Sequence, residues 1–198
     1  MRRLNRTIRG GGPDALSAFR ELTNLLLNLT VLAAGGTLKL IKLATDPSKA
    51  ALGGRTARDP LRLNDGHFLR LSAKLYLDPS TNPNFLKVEE TSYQYQLDQD
   101  GDQWIFRYDY LRNPPGAVPA AHFQINGELA EPSVAAGTPL NRLHFPTGRV
   151  SLEAVIRLLA EQFQVHCNQP PAVWRPVLTE SERDFLKVAH LPLSGPES

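Results

Sequence analysis

The chain has 198 residues, 22 Lys and Arg against 20 Asp and Glu, and a hydrophobic share of 41%, which admits one adequate core and excludes a disordered or collagen-like polypeptide. Cys167 is the single cysteine, so an internal disulfide and a multi-cysteine metal site are excluded and a reducing, cytoplasmic setting is expected. Charge is segregated: residues 1–63 hold 11 Lys and Arg against 4 Asp and Glu, whereas residues 64–198 hold 11 against 16, so the N-terminal part is expected to meet a polyanion or an acidic surface of a partner or of its own chain.

Residues 1–12 end in Gly10-Gly11-Gly12 and read as a mobile basic arm. Arg2, Arg3, Arg6 and Arg9 are its candidate nucleic-acid contacts, although no aromatic residue is interleaved among them as a single-strand platform would require. After Pro13, Asp14 opens an amphipathic helix expected over 14–34, with Leu16, Phe19, Leu22, Leu26, Leu29 and Ala33 at intervals of three and four before Gly35-Gly36. Leu22, Leu26 and Leu29 are candidate contacts to a protein partner or to the core. The apolar run 25–34 resembles a secretory leader only superficially, because Asp14 and Glu21 precede it and Asn28 and Thr30 interrupt it. No run approaches the ~20 apolar residues of a spanning helix, so no membrane association is expected.

Residues 37–44 suit either a short strand or a short helix, and 45–66 read as linker through Asp46-Pro47, Gly53-Gly54, Asp59-Pro60 and Asn64-Asp65-Gly66. Three segments are therefore expected: 1–63 as basic arm, helix and linker, 64–166 as an antiparallel α+β core, and 167–198 as an irregular tail.

Alternation predicts strands over 67–77 and 85–97. The Asp98–Asp102 turn cluster joins the second of these to a strand over 104–111. Further strands are expected at 121–129 and 142–145, and Ser151 caps a helix whose stripe is Leu152, Val155, Ile156, Leu159 and Phe163. Glu153 occupies the first turn, where the helix dipole favours acid. The fold class expected is α+β: a curled antiparallel sheet of four to five strands packed by a C-terminal helix and preceded by an N-terminal amphipathic helix.

Side chains alternate across a strand, which puts Arg107 and Asp109 on one face, His122, Gln124 and Asn126 on one face, and Arg142 and His144 on one face. If the three sets share a side of the sheet, two histidines and two arginines converge. Such a group suits phosphodiester cleavage in RNA: a histidine takes the 2′-hydroxyl proton, a second acid protonates the leaving oxygen, and arginine stabilises the phosphorane. No metal or cofactor is called for. The alternative is a polar, solvated sheet face without catalysis. His67, His166 and His190 fall outside this set and read as isolated. Phosphate-loop, dinucleotide, serine-elbow and HExxH motifs are absent from the sequence.

The words Tyr93-Gln94-Tyr95-Gln96-Leu97, Phe106-Arg107-Tyr108-Asp109, the histidine strand at His122, and Ser151-Leu152-Glu153 through Leu158-Leu159-Ala160-Glu161-Gln162-Phe163 follow in an order that resembles the TumE-type toxin family of bacterial toxin–antitoxin modules. The resemblance spans about half the chain, residues 66–163. It implies a toxin-like, RNA-cleaving protein with an antitoxin as partner, His122 and His144 as acid and base, Arg107 and Arg142 on phosphate, and Asp109 beside them. The other expectation is a non-catalytic module that binds protein or nucleic acid in a defence or mobile-element locus.

Overall fold

The computed structural model describes residues 1–56, 59–116, 118–127 and 142–189. It is an α+β fold in which α1 (Arg2–Gly10) and α2 (Pro13–Leu29) precede the strands β1 (Lys39–Leu43), β2 (Asp46–Gly53), β3 (Leu61–Arg62), β4 (Phe68–Leu77), β5 (Leu86–Gln96), β6 (Trp104–Leu111), β7 (Ala121–Ile125) and β8 (Phe145–Pro146). The helices α3 (Leu152–Glu161) and α4 (Pro171–Ala189) close the described chain. All pairings are antiparallel, in the order β1-β2-β4-β5-β6-β7-β8 with β3 paired to β4. The described residues thus form eight strands in place of the four to five expected.

Of the extra strands, β2 and β3 come from the segment read as linker and β1 from the undecided segment before it. The Pro and Gly residues of the linker punctuate hairpins rather than separate domains: β1 pairs with β2 and settles the open choice at 37–44 as strand. Ala50 and Leu52 of β2 are buried.

The basic arm is a helix, not a mobile segment. A nine-residue helix is marginal alone, and packing along α2 together with side-chain bonds to α4 supplies what is missing. Buried Asn5 donates to Asp184 at 2.8 Å, Arg9 pairs with Asp184 at 2.8 Å, and Arg2 pairs with Glu180 at 3.2 Å. Gly11 (φ +71°) turns the chain toward α2, and Gly12 N–H donates to the Asn84 carbonyl at 2.8 Å. A Cβ on Gly11 would stand 2.6 Å from that oxygen, whereas one on Gly10 meets nothing within 4 Å. Gly11→Ala is therefore expected to cost about 1–3 kcal/mol and Gly10→Ala almost nothing, as read by thermal denaturation; equal melting temperatures would contradict the docking of this turn on Asn84.

α2 ends at Leu29, five residues before the expected end at Ala34. The chain beyond it serves the sheet: Ala33 N–H donates to Arg62 O, Asn64 N–H to Val31 O, and Leu32 bridges Leu63. Leu26 is buried and Leu22 and Leu29 pack half-buried on the core, so the stripe proposed for a partner faces the protein's own interior. The expected irregular tail is mostly α4. Pro176 within it reads as a break in sequence, since proline removes one helical hydrogen bond, yet Trp174 and Leu178, one turn apart, are both buried on the core.

One face of the sheet is apolar. Leu69, Tyr95 and Phe106 stand in one cross-strand row and Leu71, Tyr93, Tyr108 and Phe123 in the next. Leu16 and Leu27 of α2, Val155, Ile156 and Leu159 of α3, and Trp174 and Leu178 of α4 join these residues in a single core. Alternation then dictates that the other face carries the polar residues. Among the described residues no helix is long and apolar enough to cross a membrane.

Candidate acid–base site on the sheet

The register places two polar rows across the sheet. Arg70, Gln94, Arg107 and Gln124 form one; Ser72, Ser92, Asp109, His122 and Pro146 form the other. The pairing of β6 with β7 sets Asp109 opposite His122 and Arg107 opposite Gln124. His144 precedes β8, and its ring meets that of His122 edge-on with centroids 4.5 Å apart and planes at 66°. The three polar sets of the sequence thus converge at five of their residues: Arg107, Asp109, His122, Gln124 and His144.

The two histidines differ in setting. His122 is only 2% exposed. Its Nδ1 lies 3.0 Å from the Pro119 carbonyl, which can only accept, so Nδ1 carries hydrogen and donates. Its Nε2 faces Asp109 Oδ2 at 3.5 Å. Both nitrogens therefore address protein groups, and His122 holds the site more than it meets a ligand. His144 is exposed. Loss of hydration, then the neighbouring His122 and Arg107, disfavour its charged form and hold it below the ordinary histidine value of 6.5, against a weaker opposing pull from Asp109.

Arg107 Nε lies 2.7 Å from Asp109 Oδ2 without an aligned N–H bond, so charge and proximity hold this pair. Arg107 Nη2 donates to Gln124 Oε1, and its guanidinium sits 5.7 Å from the Trp104 ring centroid, within cation–π range. An exposed imidazole kept neutral, a fixed guanidinium and a half-buried carboxylate facing a buried imidazole together can accept a proton and meet an anion. An NMR titration of His144 is expected to give a midpoint below 6.5; a midpoint at or above it would contradict the site. The sign for stability follows: a histidine held down in the fold contributes fully above pH 6.5, and the contribution is lost as pH falls through the folded value. Exposure of His144 keeps that contribution small.

Arg142 does not join the group. The strand expected at 142–145 begins only at Phe145, so the alternation that would set Arg142 beside His144 is missing. Arg142 is exposed and makes no ion pair among the described residues. β7 ends at Ile125 rather than Leu129, and residues 128 and 129 lie outside the described residues, as does His190. Asn126, expected on the His122 face, lies beyond β7 and donates its backbone N–H to Ile105.

Two polar groups escaped the sequence reading. His67 is not isolated: its Nδ1 lies 2.8 Å from Tyr95 Oη and 3.0 Å from Asp65 Oδ2, and Tyr95 Oη donates to the same carboxylate at 2.8 Å. Burial and the Asp65 charge push the Tyr95 phenol well above its ordinary value. Glu153, read as a first-turn acid favoured by the helix dipole, is buried and accepts from Ser181 Oγ of α4, and burial pushes its carboxyl upward. Nearby Arg149 lies between the rings of Tyr110 and Phe185 at 4.4 and 5.3 Å. Only Asp-x-His spacing at 65–67 hinted at the first group; the second depends on a contact between residues 28 apart in chain.

Among the described residues no group of three His, Cys, Asp or Glu is placed to hold a metal ion. Comparisons of the chain with protein-family models, curated proteins and solved structures each find no match.

Proposed function

We propose that this chain is a toxin-like component of a bacterial toxin–antitoxin or defence locus and that it cleaves RNA without a metal. The observation that supports this reading is the meeting of exposed His144 with Arg107 and half-buried Asp109 beside buried His122. In the proposed reaction neutral His144 takes the proton of an RNA 2′-hydroxyl, the 2′-oxygen attacks phosphorus, and the bond to the 5′-oxygen breaks. The departing oxygen takes a proton from solvent, and Arg107 meets the charge that builds on the phosphoryl oxygens. Asp109 and His122 position Arg107 and His144. These roles revise the assignment of His122 and His144 as acid and base.

A curl of the sheet about this face would account for the burial of Gln94, His122 and Gln124 on its polar side. The resemblance to the TumE-type family supports an antitoxin as partner. The test is end-group analysis of RNA incubated with the full chain in excess chelator. Fragments ending in 2′,3′-cyclic phosphate are expected, and intact RNA or 5′-phosphate products would contradict the reading.

A second reading has its own observation. His122 is enclosed with both nitrogens facing protein groups, which suits a non-catalytic module binding protein or nucleic acid. RNA bound but uncut in the same assay would favour it.

A further inference from the structure

The four arginines of α1 are not spread around the helix. At 100° per residue, Arg2, Arg3, Arg6 and Arg9 fall within a sector of about 120°, with Leu4 and Ile8 turned away from it. No carboxylate stands on α1. At one border of the sector, Arg2 and Arg9 meet Glu180 and Asp184, which lie one turn apart on α4. Arg3 and Arg6 are exposed and make no ion pair among the described residues.

These ion pairs are exchangeable. The Arg2 side chain is 89% exposed and Glu180 43%, a setting in which a bridge is worth little and salt screens it. Asp184 also keeps other partners if Arg9 leaves, since Lys187 Nζ lies 3.0 Å away and Asn5 Nδ2 2.8 Å away. A phosphodiester chain offers a row of anions to all four arginines and gains from counterion release, which two surface carboxylates cannot match. α1 need not undock for this exchange, because Asn5 and the Gly12–Asn84 contact hold its backbone.

We propose that α1 is a phosphate-contacting helix for RNA, and that Glu180 and Asp184 are its intramolecular brake, holding Arg2 and Arg9 until an RNA backbone displaces them. In the absence of ligand, two ion pairs, Arg2–Glu180 and Arg9–Asp184, join this basic helix to the acidic part of the chain. The inference rests on RNA as the ligand, but it concerns binding and is independent of cleavage.

Fluorescence anisotropy with a short oligoribonucleotide methylated at every 2′-oxygen tests it on the full chain. Glu180→Gln/Asp184→Asn is expected to tighten binding by roughly 3- to 10-fold, and Arg3→Gln/Arg6→Gln to weaken it with a shallower salt dependence. Glu180→Gln alone alters only an exposed pair, so it leaves the fold intact and must show part of the gain. Unchanged or weaker binding by Glu180→Gln and the double variant would overturn the brake while leaving the RNA reading in place. Equally tight binding of polyglutamate to wild type would overturn RNA as the occupant, and absence of RNA binding by every variant would overturn both.

Discussion

Replacing His144 with alanine is expected to lower RNA cleavage by about 10²- to 10⁴-fold and to change stability by less than about 0.5 kcal/mol. The two effects separate because His144 is exposed and its ring meets that of His122 edge-on. His122→Ala is expected to behave differently. That side chain is buried, donates to Pro119 O and faces Asp109, so its loss leaves a cavity and takes the donor from the Pro119 carbonyl, at a cost of about 1–3 kcal/mol. Cleavage then falls as well, because Asp109 no longer holds Arg107 in place. Activity and chemical denaturation measured on both variants decide the matter. Full cleavage by His144→Ala, or a loss that tracks melting alone, would contradict the roles assigned.

Leu26→Ala is expected to destabilise the protein by about 2–5 kcal/mol, whereas the adjacent Leu25→Ala should fall within about 0.5 kcal/mol of wild type. Leu26 is 2% exposed and Leu25 40%. The first leaves a cavity where α2 meets the core, and the second removes a methyl-rich tip from water. Leu26→Asp would set an unpaired carboxylate in that core and is expected to abolish folding. Urea midpoints report the difference. If the two alanine variants lose the same stability, α2 buries a different face and the stripe of Leu22, Leu26 and Leu29 is free for a partner after all.

What the sequence made legible was local. Alternation marked β4 and β5, and the Asp-Gly turn placed β6 as the hairpin partner of β5, because period two and turn chemistry are both written in neighbouring residues. Ser151 marked the start of α3 for the same reason, and its Oγ accepts from Ala154 N–H. What stayed hidden depends on residues far apart in the chain. The arginines of α1 form a helix against acids 178 and 175 positions away, and the strands β1 and β2 take their register from β4. At the site, alternation correctly grouped Arg107 with Asp109 and His122 with Gln124, since the side of a strand follows from position. Arg142 was misplaced because that reasoning holds only inside a strand, and β8 begins three residues later.

The central claim is that the RNA's own 2′-oxygen is the nucleophile and His144 its base. Rates of cutting for one RNA and for the same RNA methylated at every 2′-oxygen test this most directly, with binding of each measured in parallel. The predicted result is that methylated RNA still binds and its cleavage falls to background. Methylated RNA cut at a rate comparable to the unmodified strand would show that another nucleophile attacks phosphorus and would contradict the mechanism.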